Sequence, residues 1–305
     1  MTSLRYVSKK NIFLAPFDVS WFKKPIIKGL LNILQSEGAE VYAVGGCVRD
    51  SFWKNTIKEI DLAINIEPIR VKELLNKVDC KILDVGFEYG TVTVIVGGQK
   101  FEITSFRKDI RTFGRKARVQ YTDNLKEDAK RRDFTFNAIY LNPMGFIVDP
   151  LGNFSDLESG KVKFVGDPNK RIEEDYLRIL RYFRFISKFP KSNKYPDQVT
   201  LDAIKKKRTL ISKLSRERLW NELKLILSSH KIDMTIFLMH KVEVLTIMFP
   251  EANLDKLIIM SRLEQMLEKI ISGTSESNDV IFCDPMRRLA LLYGKQETSK
   301  NSLFA

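Results

Sequence analysis

An α/β N-terminal head followed by an all-helical remainder is the architecture this 305-residue chain predicts, and three observations predict it. β-branched runs and helical periodicity alternate as far as about residue 157. Beyond that point strand signals fade and amphipathic helical segments take over. A chain of this length also exceeds one small core, so one large unit or two to three linked units are expected.

The elements follow in order. Residues 25–36 carry helical periodicity and lead into a strand at 40–44. A Gly45-Gly46 turn comes next, with a helix beginning over 50–54, a strand at 59–64 and a helix at 69–77. Residues 90–96 and 100–106 are β-branched runs flanking Gly97-Gly98, a strong short-range hairpin signal. From 108 to 124 the pattern dissolves into charge and glycine, and a mobile loop is expected there. The helical half reads as segments at 171–189, 198–206, 216–228, 234–240, 253–272 and 284–293, with the proline-containing stretch 188–197 as a connector. No internal repeat or low-complexity tract is present.

Composition narrows the class. Hydrophobic residues make up 44% of the chain, which suits a globular protein, yet no apolar run is long enough to span a bilayer. Residues 1–24 are mildly basic but lack the apolar core and cleavage site of a secretory signal. Arg5, Lys9 and Lys10 precede any acid, a trait shared with mitochondrial presequences; the expected location is cytoplasmic. Cys47, Cys80 and Cys283 are odd in number and widely spaced, which suits a reducing compartment and forms no zinc pattern. With only His230 and His240, a histidine-rich metal centre is ruled out in practice, and both are read as structural. The net charge of +13 fits either a lysine-rich solvated surface or a polyanionic partner such as nucleic acid.

Several short segments carry chemistry. Gly45 and Gly46 follow an apolar strand, where absent side chains let backbone N–H groups approach a triphosphate, and Arg49 follows within one turn. Glu59 and Asp61 stand two apart on a strand and so share a face, the arrangement that holds a divalent metal. Glu102, on the second strand of the hairpin, is a third candidate ligand if that strand pairs beside the first; otherwise it is an exposed strand glutamate. Arg131, Arg132, Asp133 and Asn137 surround an aromatic and suit a ribose-triphosphate clamp, although a helix N-terminus capped by Asp133 fits them equally. Asp175 and Arg178, with Arg181 alongside, are expected along one helix face. A carboxylate accepts from an exocyclic amine and a guanidinium donates to a ring acceptor, so such a pair selects cytosine and adenine over uracil and guanine. The structural alternative is an ordinary helix laced by acid–arginine pairs.

Taken in order, these segments resemble the class II tRNA nucleotidyltransferases, the family of CCA-adding enzymes and bacterial poly(A) polymerases. The matching stretches are Gly45-Gly46-Cys47-Val48-Arg49-Asp50 with Glu59-Ile60-Asp61-Leu62-Ala63, Gly90-Thr91-Val92 through Phe101-Glu102-Ile103-Thr104-Ser105-Phe106-Arg107, and Arg131-Arg132-Asp133-Phe134-Thr135-Phe136-Asn137-Ala138. Asp149-Pro150-Leu151-Gly152, Glu174-Asp175-Tyr176-Leu177-Arg178 and Leu214-Ser215-Arg216-Glu217-Arg218 with Glu222 complete the series, which covers roughly residues 25–227.

The resemblance implies an α/β nucleotidyltransferase head with a mixed sheet of roughly five strands, followed by all-helical neck and body domains. The expected boundaries are 1–155 for the catalytic head, 156–227 for the base-reading neck and 228–305 for a short RNA-binding body. It implies Mg2+ at Glu59 and Asp61, with Glu102 as a further catalytic carboxylate. It places triphosphate binding at Gly45, Gly46 and Arg49, ribose and phosphate contacts at Arg131, Arg132, Asp133 and Asn137, and base reading at Asp175, Arg178 and Arg181. The implied partners are CTP, ATP and the 3′ end of tRNA or another RNA, with no membrane and no assigned oligomeric state. The stretch 108–124 corresponds to the family's flexible, specificity-switching element, with Gly114-Arg115-Lys116 in place of its basic turn.

Two departures stand out. Residue 59 is glutamate where the family has aspartate, which moves the carboxylate by about one C–C bond, and a misplacement of about 1 Å can cost on the order of 100-fold in rate. The helical part after Ser228 is also short for the family, as a compact form or a truncated product would be. CCA addition is the activity expected. A poly(A) polymerase, a CC-adding or an A-adding specialist is the alternative within the family, and a noncatalytic RNA-binding relic is the alternative outside it.

Overall fold

The computed structural model describes residues 12–14, 18–77, 79–83, 86–113, 116–189, 196–230, 232–271 and 282–293. The chain divides into two compact units, the first made of residues 1–158 with 163–166 and the second of 159–162 with 167–305.

The first unit is built on strands β1 (Ile12–Leu14), β2 (Val41–Val44), β3 (Ile60–Ile64), β4 (Lys81–Leu83), β5 (Thr91–Val96), β6 (Gln99–Ser105), β7 (Arg107–Phe113), β8 (Lys116–Tyr121), β9 (Tyr140–Leu141) and β10 (Phe146–Val148). Eight of them form one sheet in the order β1-β10-β9-β2-β3-β6-β5-β4, so the sheet is larger than the five strands expected. It is mixed, because β3 and β6 run parallel while the other neighbours run antiparallel. Helices α1 (Pro25–Gln35), α2 (Gly46–Phe52), α3 (Pro68–Leu75), α4 (Leu125–Arg131) and α5 (Phe154–Ser159) complete the layer set.

Two-residue periodicity gives the sheet two different faces. Ile60, Leu62 and Ile64 of β3, Phe101 and Ile103 of β6, and Val92 and Val94 of β5 share one face and are all buried. Ile27, Leu30, Leu31 and Leu34 of α1 and Val71, Leu74 and Leu75 of α3 are buried as well, and these two helices pack on each other and against β2 and β5. On the opposite face Val44, Ala63, Phe106, Tyr140 and Ala129 form a second apolar cluster, and Asp61 and Glu102 fall on that face too. The carboxylates therefore border a packed core.

The strand predicted at 59–64 is present from Ile60, leaving Glu59 just before it, and the hairpin around Gly97-Gly98 is present. Helix α2 begins at Gly46 rather than at residue 50, because Gly45 itself turns the chain at φ 74° and Arg49 N–H already bonds its carbonyl. The mobile loop expected over 108–124 is instead a hairpin, β7 paired antiparallel with β8 in a sheet of its own. Its β-prone residues, Ile110, Thr112, Phe113, Val119 and Tyr121, support extended backbone despite the charge. Of the basic turn at 114–116, Gly114 and Arg115 lie outside the described residues.

The second unit holds α6 (Pro168–Glu174), α7 (Arg178–Lys188), α8 (Gln198–Lys207), α9 (Arg216–Leu227), α10 (Asp233–Lys241), α11 (Val244–Met248), α12 (Leu254–Ile271) and α13 (Pro285–Tyr293). Helix α7 buries Ile179, Leu180, Tyr182, Phe183 and Ile186 and turns Arg178, Arg181 and Arg184 to its other side, at a spacing of three. Arg288 of α13 is fully buried, donating to Glu264 of α12 and to the Leu227 and Ser229 carbonyls at the end of α9. The single helix expected over 171–189 is broken. Asp175 adopts extended backbone (φ −154°, ψ 110°), and its side chain accepts from Leu177 N–H to start α7 anew. Of the connector at 188–197, residues 190–195 lie outside the described residues.

Candidate active site

The carboxylates come together through one strand pairing. Parallel β3 and β6 place Asp61 directly beside Glu102, and Glu59 is the residue just before β3 begins. Asp61 is held up to about 6, chiefly because burial disfavours its charge, with Glu102 and Glu59 adding repulsion against the attraction of Arg132 and Arg49. Lys100 lies across the more exposed pair, 2.7 Å from Glu102 and 3.5 Å from Glu59. Among the described residues no three His, Cys, Asp or Glu side chains converge to hold a metal ion by themselves. The donor set instead fits a hard divalent cation taken by one or two carboxylates and completed by phosphate oxygens and water.

The Gly-Gly turn stands over this group. A Cβ on Gly45 would lie 3.5 Å from Asp61 Oδ2 and 3.8 Å from Arg132 Nη1, so glycine lets backbone, carboxylate and guanidinium approach one point. Arg132 is fixed from behind. Its Nη2 donates to Asp128 Oδ2 at 2.9 Å, its Nε donates to Tyr140 Oη at 3.0 Å, and that hydroxyl donates to Asp128 at 2.7 Å. Arg131 Nε bonds the other Asp128 oxygen. Burial would raise the Asp128 carboxyl, but the two arginines outweigh it and bring it to about 2, so Asp128 stays ionised.

Arg49 is buried and donates to Asn137 Oδ1 at 2.6 Å and to both Asp50 oxygens. Asn137 in turn donates to Asp133, which also accepts from Phe134 N–H. After Asp133 the chain makes only the short turn Thr135–Asn137, so Asp133 does not cap a full helix. The first unit thus brings Gly45, Asp61 and Arg132 together, sets Glu102 beside Asp61 and Glu59 against Lys100, and chains Arg49, Asn137 and Asp133 next to Gly46, while Arg131 is tied to Asp128.

Asp175, Arg178 and Arg181 belong to the second unit and do not share one helix face. Asp175 lies in the break before α7, and Arg218 Nη2 of α9 holds its two oxygens at 3.0 and 2.9 Å. Arg178, the first residue of α7, donates to Glu174 and to the Arg171 carbonyl. Arg181 and Arg184 flank Glu222 of α9, at 3.8 and 3.0 Å.

Sequence reasoning missed Asp128, Tyr140, Lys100 and the role of Arg218. Asp128 was accessible from its spacing, three and four residues before the two arginines on one helix. Lys100 shares a strand face with Glu102, also a readable relation. Tyr140 and Arg218 have no local signal.

Residues 41–163 match the poly(A) polymerase head domain, and 196–255 match the probable RNA- and SrmB-binding site of polymerase A. The human mitochondrial CCA tRNA nucleotidyltransferase 1 is 36% identical over 219 residues, covering 72% of this chain and 50% of that protein. The CCA-adding enzyme of Lactobacillus delbrueckii subsp. bulgaricus is 40% identical over 195 residues, 63% of this chain and 48% of its own length. The chain therefore spans about half the length of the curated relatives it matches. The crystal structure of the Bacillus stearothermophilus CCA-adding enzyme in complex with CTP superposes with a TM-score of 0.65 at 30% identity, over 79% of this chain and 58% of that one. A tRNA nucleotidyltransferase complexed with a primer tRNA and an incoming ATP analogue shares the fold at 24% identity and a TM-score of 0.68, over 88% of this chain and 76% of that one. With the head and polymerase-type helical segments both matched in order, this chain belongs to the family of class II CCA-adding enzymes and poly(A) polymerases.

Proposed function

We propose that this protein adds CMP and AMP from CTP and ATP to the 3′ end of tRNA without a nucleic-acid template. The observation that carries the reading is the meeting of Gly45, Asp61 and the anchored Arg132 at one point, in a chain 36–40% identical to CCA-adding relatives. The backbone of Gly45 and Gly46 is assigned to the triphosphate, with Arg49 and Arg132 neutralising its charge. Asp133 and Asn137 are assigned to the ribose, and Arg131 supports Asp128 behind them.

Glu59 and Asp61 would hold Mg2+, with Glu102 beside them. A bound ion of this kind lowers the cost of charge on the attacking 3′ oxygen and on departing pyrophosphate. Asp61 must be ionised for that task, and near neutral pH it is, since its carboxyl titrates at about 6. Asp175 would accept the exocyclic amine of C or A while Arg178 and Arg181 donate to the acceptor edge. The proposed division of labour keeps 1–155 as catalytic head, 156–227 as neck and 228–305 as an RNA-binding body. Lys205, Lys206, Lys207 and Arg208, at the end of α8, outnumber their partners Glu173 and Glu243, and the residual positive charge supports an RNA partner.

Among the described residues no helix is long and apolar enough to cross a membrane. We place the protein in the cytoplasm on its three free cysteines. The human relative's mitochondrial name motivates the alternative, which imaging of the tagged full chain decides. The match to a poly(A) polymerase head supports a second reading, addition of A alone. The test is to incubate the protein with tRNAs ending before C, after CC, or complete, supplying each labelled NTP separately, and to sequence the products. Ordered C, C and A addition supports the proposal; A tails on any RNA support the second reading; no addition to any substrate leaves the noncatalytic relic.

A further inference from the structure

Lys100 reaches along the carboxylate face of the sheet. It stands on β6 two residues before Glu102, so the two side chains leave the same face. Its ammonium is 2.7 Å from Glu102 Oε1 and 3.5 Å from Glu59 Oε1, across the gap between the two parallel strands. Glutamate at position 59 has the reach for this contact; aspartate would be one methylene shorter. The three side chains stay 40%, 37% and 64% exposed for Lys100, Glu102 and Glu59, so the ammonium has open solvent into which to withdraw.

A divalent ion and an ammonium want the same oxygen lone pairs. Magnesium binds oxygen at about 2.0–2.1 Å, and two cations sharing one small carboxylate group repel each other. While Lys100 holds Glu102 and Glu59, the three acids do not converge as a cage. We propose that Lys100 is a tethered counter-cation that competes with the divalent ion for Glu59 and Glu102 and must leave them before they gather with Asp61. The inference rests on the metal-site reading given above. It makes Lys100 a positioning residue: it relieves repulsion among the acids in the metal-free protein and sets the divalent concentration at which the site fills.

The experiment measures Mn2+ binding to the full chain without nucleotide, read from the free-ion resonance signal up to millimolar Mn2+. Wild type, Lys100→Met, Asp61→Asn and the double variant are compared at low and high salt, with circular dichroism to confirm folding and Lys100→Gln as a second neutral variant. Removing the ammonium should tighten Mn2+ binding about three- to tenfold in low salt, the range open to two half-exposed ion pairs. The gain should shrink at high salt, and Asp61→Asn should remove binding in either background. Unchanged or weaker binding in both Lys100 variants, with Asp61→Asn still removing it, overturns the counter-cation role and leaves the metal-site reading intact. Binding that survives Asp61→Asn in both backgrounds, or that is absent from all five proteins, overturns both.

Discussion

Arg218→Ala should damage base selection more than it damages catalysis. In the structure one Arg218 nitrogen holds both Asp175 oxygens at 3.0 and 2.9 Å, and the two side chains are only 19% and 16% exposed. Asp175 lies in an extended break between helices, where its other restraint is a 3.2 Å bond from Leu177 N–H. A charge-assisted contact of this kind is worth about 1.5–3 kcal/mol, and partial exposure favours the lower end. If that energy fixes the carboxylate where it meets an exocyclic amine, losing it costs about tenfold in preference for CTP and ATP over UTP and GTP. The assay is single-nucleotide incorporation, with kcat/KM for all four NTPs on matched tRNA ends, alongside urea unfolding. Arg218→Lys should recover part of the preference, because one donor can still reach one oxygen. An equal loss for all four nucleotides would refute the argument and reduce the pair to a helix-to-helix tether.

Three further outcomes follow from the head. Asp61→Asn should abolish nucleotide addition, and it should also change how stability depends on pH. Burial and Glu102 hold the Asp61 carboxyl at about 6 against 3.8 unfolded, so its favourable share is full below about pH 4 and is lost as pH rises through 6. The asparagine variant should therefore gain up to about 3 kcal/mol over wild type in urea unfolding at pH 8 and nothing at pH 4, at about 1.36 kcal/mol per unit; no gain at pH 8 would contradict the buried charge. Tyr140→Phe leaves Arg132 and Asp128 short of a buried partner, and should cost about 1–3 kcal/mol of stability together with a raised KM for NTP; stopped-flow binding and denaturation check it, and an unchanged KM would detach Arg132 from the triphosphate. Deleting residues 111–116 should impair the final A far more than the two C additions, read as product lengths on a gel, whereas equal loss at every step would make the β7–β8 hairpin a general folding element.

Backbone preference and side-chain periodicity were legible in the sequence. The two-residue period puts Asp61 and Ala63 on one face of β3, and Gly97-Gly98 between β-branched runs specifies its hairpin. The motif order carried the family as well, because the chemistry is concentrated in short local segments. Charge obscured the strands at 107–121, since hydrophobic patterning does not mark a hairpin that stands outside the main sheet. Tertiary structure decided the partners. Glu102 adjoins Asp61 only because β3 and β6 pair in parallel, although 41 residues separate them in the chain. Asp175 was expected to run with Arg178 on one helix, but its carboxylate is satisfied by Arg218, 43 residues away, and the backbone breaks there to present it. A local sequence fixes which conformations a segment favours, whereas the partner of a buried charge is chosen by whichever distant element packs close enough to neutralise it.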